Sequence, residues 1–439
     1  MKEFNNFILS KKNIVIAVTM LFAFSIILIF FISDRSMERV ERIDIEGSIG
    51  QENISDDGAW CWFQDPRAVS YNGKTYVGWV NRSGDIVISR YDNQKKETVS
   101  NVLHYNLQID DHSAPTILIL QDGRIMVFYS AHVGNAMFYR ISISPEDISN
   151  WSEEKRITTN TEGKRGYTYS HPVRLSDENN KIYLFWRGGD FKPNFSTSID
   201  GVEWSNAQNL FDVPNERPYM KVFSNGSDKI YFTFTDGHPN EIETNNIYFT
   251  YYQDGSFYKA DGTFIKGVND LPLVASDLDV VYDSNLSGVN AWNWDIAIDN
   301  SGNPVIAYAT FPALEDHRYN YAYWDGESWN NYEIAKAGGS IDKDREPFYS
   351  GGMAINHQDP SIVYLSREIN EMHEMEKWET PDWGKSWSSK IITSQSLAKN
   401  VRPVVPRNYN YGDPEVIWMQ GSYTHFTKYD TVLRMQFDK

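Results

Sequence analysis

The sequence contains very little cysteine and is short of positive charge, and each shortage excludes a class of protein. Its 439 residues include one cysteine, Cys61, so no disulfide can form within the chain. Lysine and arginine number 41 against 59 aspartates and glutamates, which gives a formal net charge of −18. Because nucleic-acid binders neutralise phosphates with cationic side chains, we expect no nucleic-acid partner.

Motifs for several common chemistries are also missing from the sequence. It has no P-loop, no GxGxxG after a strand, no GxSxG elbow and no CxxC pair. Aromatic residues, in contrast, make up 15% of the chain. Strands and sugar-binding surfaces both favour aromatic side chains, so this composition points to β structure and to carbohydrate.

The N-terminal segment contains a long apolar run. Residues 14–32 are almost wholly apolar, and three lysines precede them. Such a run can cross a bilayer core of about 30 Å, and the lysines hold the N-terminus in the cytoplasm. We therefore predict a cytoplasmic tip and transmembrane signal anchor over 1–33, a polar stalk over 34–56 and an exported domain over 57–439, in the periplasm or outside the cell. The alternative is a cleaved signal peptide and a secreted domain.

The rest of the chain has the pattern of short β-strands. Segments rich in β-branched and aromatic residues alternate with turns that contain Gly, Asp, Asn or Pro. Clear examples are Lys74–Val80, Asp85–Tyr91, Arg124–Tyr129, Lys181–Trp186, Lys229–Phe234, Asn303–Tyr308 and Ser361–Leu365. No convincing amphipathic helix follows residue 50. These patterns predict one all-β domain.

A turn motif recurs along this domain. The segment Thr380–Trp387 (TPDWGKSW) matches the Asp-box S/T-x-D-x-G-x-S/T-W, and degenerate versions end in aromatic residues at 151, 204, 257 and 329. In this motif the aspartate bonds turn amides and the aromatic residue packs between sheets, so its role is structural. A repeat of about 55 residues fits four-stranded blades. We predict a seven-bladed β-propeller, with six blades as the alternative.

The segments Asp110–Pro115 and Tyr129–His132 carry the first candidate site. His112 and His132 flank the predicted strand Arg124–Tyr129. Because strand ends of a propeller converge on the central channel, the two imidazoles are expected to meet on one face. The alternative is that each imidazole bonds a carboxylate or carbonyl within its own turn.

The second candidate site lies in the segments Tyr167–Pro172 and Phe185–Gly189. Arg187 ends an apolar strand and precedes two glycines, which let a ligand approach the backbone. A guanidinium at such a position suits a carboxylate or a sulfate. The alternative is a salt bridge to a neighbouring blade.

Further polar and aromatic residues lie at predicted loops. The residues expected to contact a substrate are Tyr167, His171, Arg217, Tyr219, Trp292 and Trp294. A tryptophan there would either stack on a sugar ring or fill the space between blades. His238 and His317 lack the spacing of a metal site, so no metal ligands are assigned.

Several of these segments together resemble a known family. The run Gly58–Ala68 (GAWCWFQDPRA), the turn Asp110–His112 and the segments Tyr129–His132, Tyr169–Val173 and Tyr183–Gly188 are similar to the BNR-repeat propeller proteins that include ulvan lyases. The likeness covers about residues 57–240 well. Beyond that range it consists mainly of the repeat pattern.

The resemblance implies a polysaccharide lyase, an enzyme that cleaves the bond next to a uronic acid by β-elimination. Arg187 would neutralise the uronate carboxylate, and His112, His132 and Tyr169 would supply base and acid. The implied partner is an anionic polysaccharide that contains uronate, such as the sulfated polymer ulvan. No cofactor would be required for the chemistry, although a structural Ca or Zn ion would be compatible with it.

One departure from the family pattern leaves the proton donor open. The family more often has Pro-Asn-Pro after the tyrosine, where this chain has Ser170-His171-Pro172. Tyr169, Tyr167 and His171 are therefore all candidates for the acid.

Two other functions remain compatible with the residues. A glycoside hydrolase would need two carboxylates about 5–10 Å apart at the channel, for which Asp110, Asp111 and Asp295 are candidates. A non-catalytic carbohydrate-binding propeller would need only the aromatic and polar loop residues.

Overall fold

The computed structural model describes residues 42–43, 51–163 and 166–438. Regular structure there is almost entirely β, which confirms the all-β prediction; the α-helix Ser284–Ser287 is a single turn. No helix among the described residues is long and apolar enough to span a bilayer. The predicted anchor over 1–33 lies outside the described residues, so it stays a prediction.

Seven sheets of four or more strands follow one another along the chain as the blades of a propeller, as predicted. Two strands precede them, β1 (Arg42–Ile43) and β2 (Gln51–Ser55). Blade 1 contains β3 (Ala68–Tyr71), β4 (Lys74–Val80), β5 (Ile86–Asp92) and β6 (Glu97–His104). Blade 2 contains β7 (Thr116–Ile119), β8 (Ile125–Tyr129), β9 (Met137–Ile141) and β10 (Lys155–Ile157). Blade 3 contains β11 (Thr168–Leu175), β12 (Lys181–Arg187), β13 (Pro193–Ser198) and β14 (Gln208–Asn209).

Blade 4 is larger than the others. It contains β16 (Met220–Ser224), β17 (Lys229–Thr235), β18 (Ile247–Gln253), β19 (Ser256–Tyr258), β20 (Phe264–Gly267) and β22 (Asp279–Tyr282). A short parallel pair, β15 (Phe211–Asp212) and β21 (Leu273–Val274), flanks it. This extra chain explains why the aromatics at 257 and 329 lie further apart than their neighbours in the repeat.

The last three blades return to four main strands each. Blade 5 contains β23 (Ala291–Ile298), β24 (Pro304–Ala313), β25 (Asp316–Trp324) and β26 (Trp329–Gly338). Blade 6 contains β27 (Gly352–Ile355), β28 (Ile362–Ile369), β29 (Met372–Glu379) and β30 (Ser388–Ile391), and β1 pairs with β30. Blade 7 contains β31 (Lys399–Val404), β32 (Pro414–His425) and β33 (Lys428–Phe437).

Blade 7 takes its fourth strand from the start of the domain. The strand β2 pairs antiparallel with β33, so the two ends of the domain share one sheet and close the ring. Residues 51–55 therefore belong to the propeller and not to the predicted stalk, because their backbone completes the β33 edge. The predicted boundary at residue 57 is too late by that strand.

The Asp-box of blade 6 joins the third strand of the blade to the fourth. Thr380 Oγ1 accepts the Gly384 amide at 2.7 Å, and the Asp382 carboxylate accepts the Ser386 amide at 2.8 Å. The Trp387 ring packs edge-on to Tyr321 of blade 5, 5.3 Å between centroids. The motif thus links neighbouring blades, which is the structural role predicted for it.

The segment 58–66 crosses the middle of the ring and fills its channel. Trp60 and Trp62 are buried, and their indole nitrogens donate to the backbone carbonyls of Arg402 and Asn293, in blades 7 and 5. Gln64 donates to the carbonyl of Asp111 at 3.0 Å. This aromatic run is therefore a plug, and it supports the turn on which the candidate site is built.

Candidate active site

The candidate site lies where blades 1, 2 and 3 meet on one face. His112 lies in a 3-10 turn, Asp111–Ser113, which connects β6 to β7, and His132 follows β8. Their rings stack in parallel, 4.1 Å apart at 4°. The structure therefore brings the two histidines together, as their spacing predicted.

Asp110 joins the two histidines. Its carboxylate lies 2.6 Å from Nδ1 of His112 through one oxygen and 2.9 Å from Nδ1 of His132 through the other. The same side chain caps the 3-10 turn by accepting the amide of His112 at 2.9 Å. One buried carboxylate thus fixes the orientation of both rings.

The two imidazoles that share this carboxylate differ in protonation state. Burial alone would lower the pKa of His112, but the charge and hydrogen bond of Asp110 together with the charges of Cys61 and Asp111 outweigh burial and raise this pKa well above 6.5. Burial, the charge of His112 and the charge of Arg187 together lower the pKa of His132 to about 4. At neutral pH, His112 is therefore a cation and His132 a neutral imidazole.

Arg187, at the end of β12, lies against His132. Its Nη2 is 3.1 Å from Nε2 of His132, and its Nη1 donates to the hydroxyl of Tyr219 at 3.3 Å. The guanidinium lies 4.5 Å from the ring centre of Tyr169. In the part of the chain that the structure describes, no carboxylate forms an ion pair with Arg187, so the predicted alternative of a salt bridge between blades is not what holds it.

Tyr169 lies at a distortion in β11. Its φ is +59°, and the register of β11 against β12 shifts between Thr168 and His171. A left-handed backbone at a non-glycine residue is strained, and such strain is often kept where a side chain must be aimed. The Tyr169 ring lies 5.4 Å from that of His112. Burial raises its pKa well above 10, so the phenol is protonated.

Blade 7 contributes residues to the site that the sequence analysis missed. Tyr423 donates its hydroxyl to Asp111 at 2.6 Å, and the carbonyl of Phe426 accepts the Asp111 amide at 2.8 Å. The Phe426 ring stands edge-on to His112, 4.8 Å between centroids. Since more than 300 positions separate Asp111 from Tyr423, nothing in the local pattern could have paired them.

Two of the predicted substrate-contacting residues lie beside Arg187. Tyr219 is buried and accepts the Arg187 hydrogen bond. Arg217 is partly exposed, forms an ion pair with Glu241 at 2.6 Å and lies 5.7 Å from the ring centre of Phe191. Arg217 is thus the candidate that a ligand reaches most directly, whereas Tyr219 positions Arg187.

The structure buries the other four candidates. Tyr167 stacks on Trp186 in the core and donates to the carbonyl of Thr159 at 2.6 Å. His171 is 1% exposed, and its two ring nitrogens have no hydrogen-bond partner among the described residues. Burial is the main cause that lowers the pKa of His171 to about 3. Neither side chain presents a surface to a sugar.

The two tryptophans fill space between the blades and the plug. Trp294 is 2% exposed and stacks on Trp62 at 4.5 Å, and Trp292 is 1% exposed and meets the same ring edge-on. Stacking on a sugar needs an exposed ring face, so the structure favours the packing alternative for both. Their burial was not visible in the sequence because the plug that covers them is distant along the chain.

The acidic groups beside the histidines make hydrogen bonds and close ionic contacts, and Asp111 Oδ1 has an ionic contact without a hydrogen bond among the described residues. Each Asp110 oxygen contacts Nδ1 of one imidazole, and the two Asp111 oxygens contact His112 and Tyr423. We therefore interpret this group as a hydrogen-bonded network and assign no metal ligands within it. The expectation of a structural Ca or Zn ion stays a prediction.

Comparison with known sequences identifies a family and relatives. A family described as "BNR repeat-containing family member" matches residues 74–337. An ulvan lyase of Nonlabens ulvanivorans is 22% identical over 389 residues, covering 76% of this chain and 77% of that protein. An ulvan lyase of Alteromonas sp. (strain LOR) is 27% identical over 162 residues, which are 31% of this chain and 32% of that protein.

Comparison with solved structures gives the same fold. A polysaccharide lyase described as PL25 ulvan lyase bound to -[GlcA(1-4)Rha3S]- superposes with a TM-score of 0.68 at 17% identity, covering 87% of this chain and 94% of that one. The polysaccharide lyase Uly1 superposes with a TM-score of 0.54 at 12% identity, covering 90% and 99%. At these identities the likeness establishes the propeller architecture.

Proposed function

We propose that this chain, which belongs to the BNR repeat-containing family, is a polysaccharide lyase that cleaves a uronate-containing polysaccharide by β-elimination. The observation that carries the proposal is the convergence of Arg187, a neutral His132 and a protonated Tyr169 at one point on the propeller face. The ulvan lyase relatives support the same activity and suggest a sulfated, ulvan-like substrate.

Arg187 supplies the charge that the reaction needs. The C5 proton of a uronate is too weakly acidic to leave unless the adjacent carboxylate is neutralised, because its removal places negative charge on that group. A guanidinium without a carboxylate partner among the described residues, held by Tyr219, is preorganised for this task. The planar guanidinium can also donate two parallel hydrogen bonds to the two oxygens of a carboxylate.

His132 is the base in this scheme. Asp110 accepts a hydrogen bond at Nδ1, so the lone pair of the neutral ring is at Nε2, which faces Arg187. His132 is also more exposed than His112, with side-chain accessibilities of 21% and 3%. The base takes the C5 proton, and the electron pair of the C–H bond forms the C4–C5 double bond.

Tyr169 is the acid. As the C4–O4 bond breaks, the leaving oxygen must gain a proton, and a phenol whose pKa is raised by burial still carries one at neutral pH. Tyr169 is the best placed of the three candidates, because its ring lies 4.5 Å from the Arg187 guanidinium and 5.4 Å from the His112 ring. His112 remains a cation and offsets the charges of Asp110 and Asp111.

A glycoside hydrolase fits the described residues less well. Hydrolysis needs one carboxylic acid and one carboxylate that both face the sugar. Asp110 and Asp111 are buried and bonded to the histidines and Tyr423, and Asp295 is bonded to His357 and the Ile355 amide. None of the three offers a carboxylate that is free to act on a sugar.

The proposed chemistry needs no metal, because Arg187 occupies the role that a cation would have. Turnover should therefore survive exhaustive dialysis against EDTA. If a chelator abolishes turnover and Ca²⁺ or Zn²⁺ restores it, the metal-free scheme is wrong.

We also propose that residues 14–32 carry the propeller out of the cytoplasm, as an anchor or as a cleaved signal. A polysaccharide is too large to enter the cell, so its lyase must face outward. Protease added to spheroplasts should release a fragment of nearly the size of the domain if the anchor is retained. A domain that stays protected in intact spheroplasts would contradict export.

The proposed activity is tested by a screen of uronate polysaccharides, ulvan among them, with product analysis by mass spectrometry. Elimination gives oligosaccharides one water lighter than the products of hydrolysis. A carboxyl-reduced version of each active polymer is the matched control, because it lacks the group that Arg187 neutralises. Products of hydrolytic mass, or cleavage of the reduced polymer, would contradict the proposal.

A further inference from the structure

The contact between Arg187 and His132 blocks the base in the free protein. An arginine can only donate hydrogen bonds, so the 3.1 Å contact of its Nη2 with Nε2 of His132 is a donation to the imidazole lone pair. The opposite nitrogen, Nδ1, is bonded to Asp110 at 2.9 Å. Both nitrogens of His132 are therefore engaged, and the one needed for proton removal is covered.

Neighbouring side chains among the described residues cover much of the guanidinium. Tyr169 and Phe191 cover it at 4.5 and 4.9 Å, and Nη1 faces Tyr219. Nε is buried and has no hydrogen-bond partner in the described part of the chain. His132 is the partly exposed neighbour of the Nη2 edge. An entering carboxylate must therefore meet the guanidinium at the edge that donates to Nε2.

We propose that Arg187 caps the base nitrogen of His132 and that the carboxylate of the substrate removes this cap. The carboxylate is the stronger acceptor, so it takes the Nη2 hydrogen bond and frees the Nε2 lone pair. A neutral sugar cannot compete for that hydrogen bond, and the cap stays in place. The inference rests on the proposed function and makes the uronate itself the switch for catalysis.

The charges around His132 also favour its action as a base once a carboxylate is bound. The charged and titratable groups that face His132 are Asp110 and His112 from the β6–β7 connection and Arg187 from β12. Of these, Arg187 is the group whose Nη2 contacts Nε2 of the partly exposed His132, so a substrate anion that reaches this nitrogen also reaches Arg187. Burial and the charge of His112 are the main causes that lower the pKa of His132 to about 4, and the charge of Arg187 lowers it further. Neutralisation of Arg187 therefore raises this pKa above its value in the free protein.

The test is ¹⁵N NMR of the histidines in the full-length protein, with and without sodium glucuronate and with glucose as the neutral control. We expect the proton on Nδ1 of His132, an Nε2 resonance that moves with glucuronate but not with glucose, and a titration midpoint of His132 that rises with glucuronate but not with glucose. A proton on Nε2 in the free protein would overturn the proposal without any variant.

A variant tests the cap without any ligand. In Arg187→Gln the midpoint of His132 should rise in the free protein and should no longer respond to glucuronate. Arg318→Gln, which removes a remote arginine paired with Asp316 and Glu333 in blade 5, is the matched control and should leave His132 unchanged. The resonance of the buried His373, in blade 6, reports whether each variant is folded.

These results separate the cap from the lyase activity. An unchanged His132 midpoint in folded Arg187→Gln overturns the cap, whether or not the wild-type protein eliminates uronate. A shifted midpoint together with no elimination product from any uronate polymer supports the cap and refutes the proposed function. If Arg187→Gln does not fold, the wild-type tautomer and the glucuronate response decide the question.

Discussion

His112 and His132 lie face to face at 4.1 Å, and both bond the single carboxylate of Asp110. Two imidazolium ions in this position would repel each other, so the pair holds one charge. His112 carries that charge because it contacts both Asp110 and Asp111, whose charges help to outweigh its burial, and His132 stays neutral. The pair therefore keeps a base uncharged beside a fixed cation.

Asp110→Asn should disable this pair while leaving the fold intact. The neutral amide has one acceptor oxygen in place of two, so it cannot accept a hydrogen bond from both imidazoles. His112 therefore loses the charge that keeps it protonated, and His132 loses the hydrogen bond that fixes its tautomer. We expect kcat to fall about tenfold to a hundredfold with little change in KM, and the pH profile to shift. A profile identical to that of the wild type would show that Asp110 does not position the histidines.

Arg187→Ala should lose nearly all turnover. Loss of a preorganised charge at a developing anion costs about 3 kcal/mol or more, which is at least about a hundredfold. Steady-state kinetics on a uronate polysaccharide measure the loss, and Arg318→Gln serves as the control for removal of an arginine. Near wild-type turnover in Arg187→Ala would remove Arg187 from the mechanism.

Tyr169→Phe should lower kcat with a modest change in binding, because the phenol acts on a proton in the transition state. Tyr167→Phe is the matched control, since its hydroxyl bonds the carbonyl of Thr159 within the core. If Tyr167→Phe lost turnover and Tyr169→Phe kept it, the acid would have been assigned to the wrong tyrosine.

The pH dependence of kcat/KM should have an acid limb near pH 4. His132 must be neutral to accept a proton, so activity falls as the pH drops through its pKa of about 4. The alkaline limb should lie above pH 10, because burial raises the pKa of Tyr169 and activity is lost only when the phenol ionises. An acid limb near pH 6.5 in kcat/KM would contradict the lowered pKa of His132 in the free protein.

Trp387→Ala should destabilise the propeller by about 3–5 kcal/mol without changing the geometry of the candidate active site. The indole packs on Tyr321 and donates to the carbonyl of Gly384 at 3.0 Å, so its removal opens a cavity between blades 5 and 6. The exposed aromatic Tyr411 provides the control, since Tyr411→Ala should change stability by less than about 0.5 kcal/mol. Denaturant unfolding measures both.

The blades could be predicted from the sequence because their signals are local. The strand Lys74–Val80 was predicted with its observed bounds, and the others differed mainly at their ends. The ring closure through Gln51–Ser55 was missed, because a strand that pairs with the far end of the chain carries no local mark.

The same distinction applies to the site. His112, His132 and Arg187 follow strand ends of adjacent blades, so their meeting could be predicted from the topology. The contributions of Tyr423 and Phe426 depend on ring closure, and the burial of Trp292 depends on the channel plug. Neither relationship is visible until the seven blades are assembled.

The most direct test of the account is to follow ultraviolet absorbance and new reducing ends together while the protein acts on a uronate polysaccharide. β-Elimination creates one C4–C5 double bond for each chain that is cut, so the two signals should rise in a fixed one-to-one ratio, and both should vanish in Arg187→Ala. Reducing ends that accumulate without the absorbance of an unsaturated uronate would contradict the central claim.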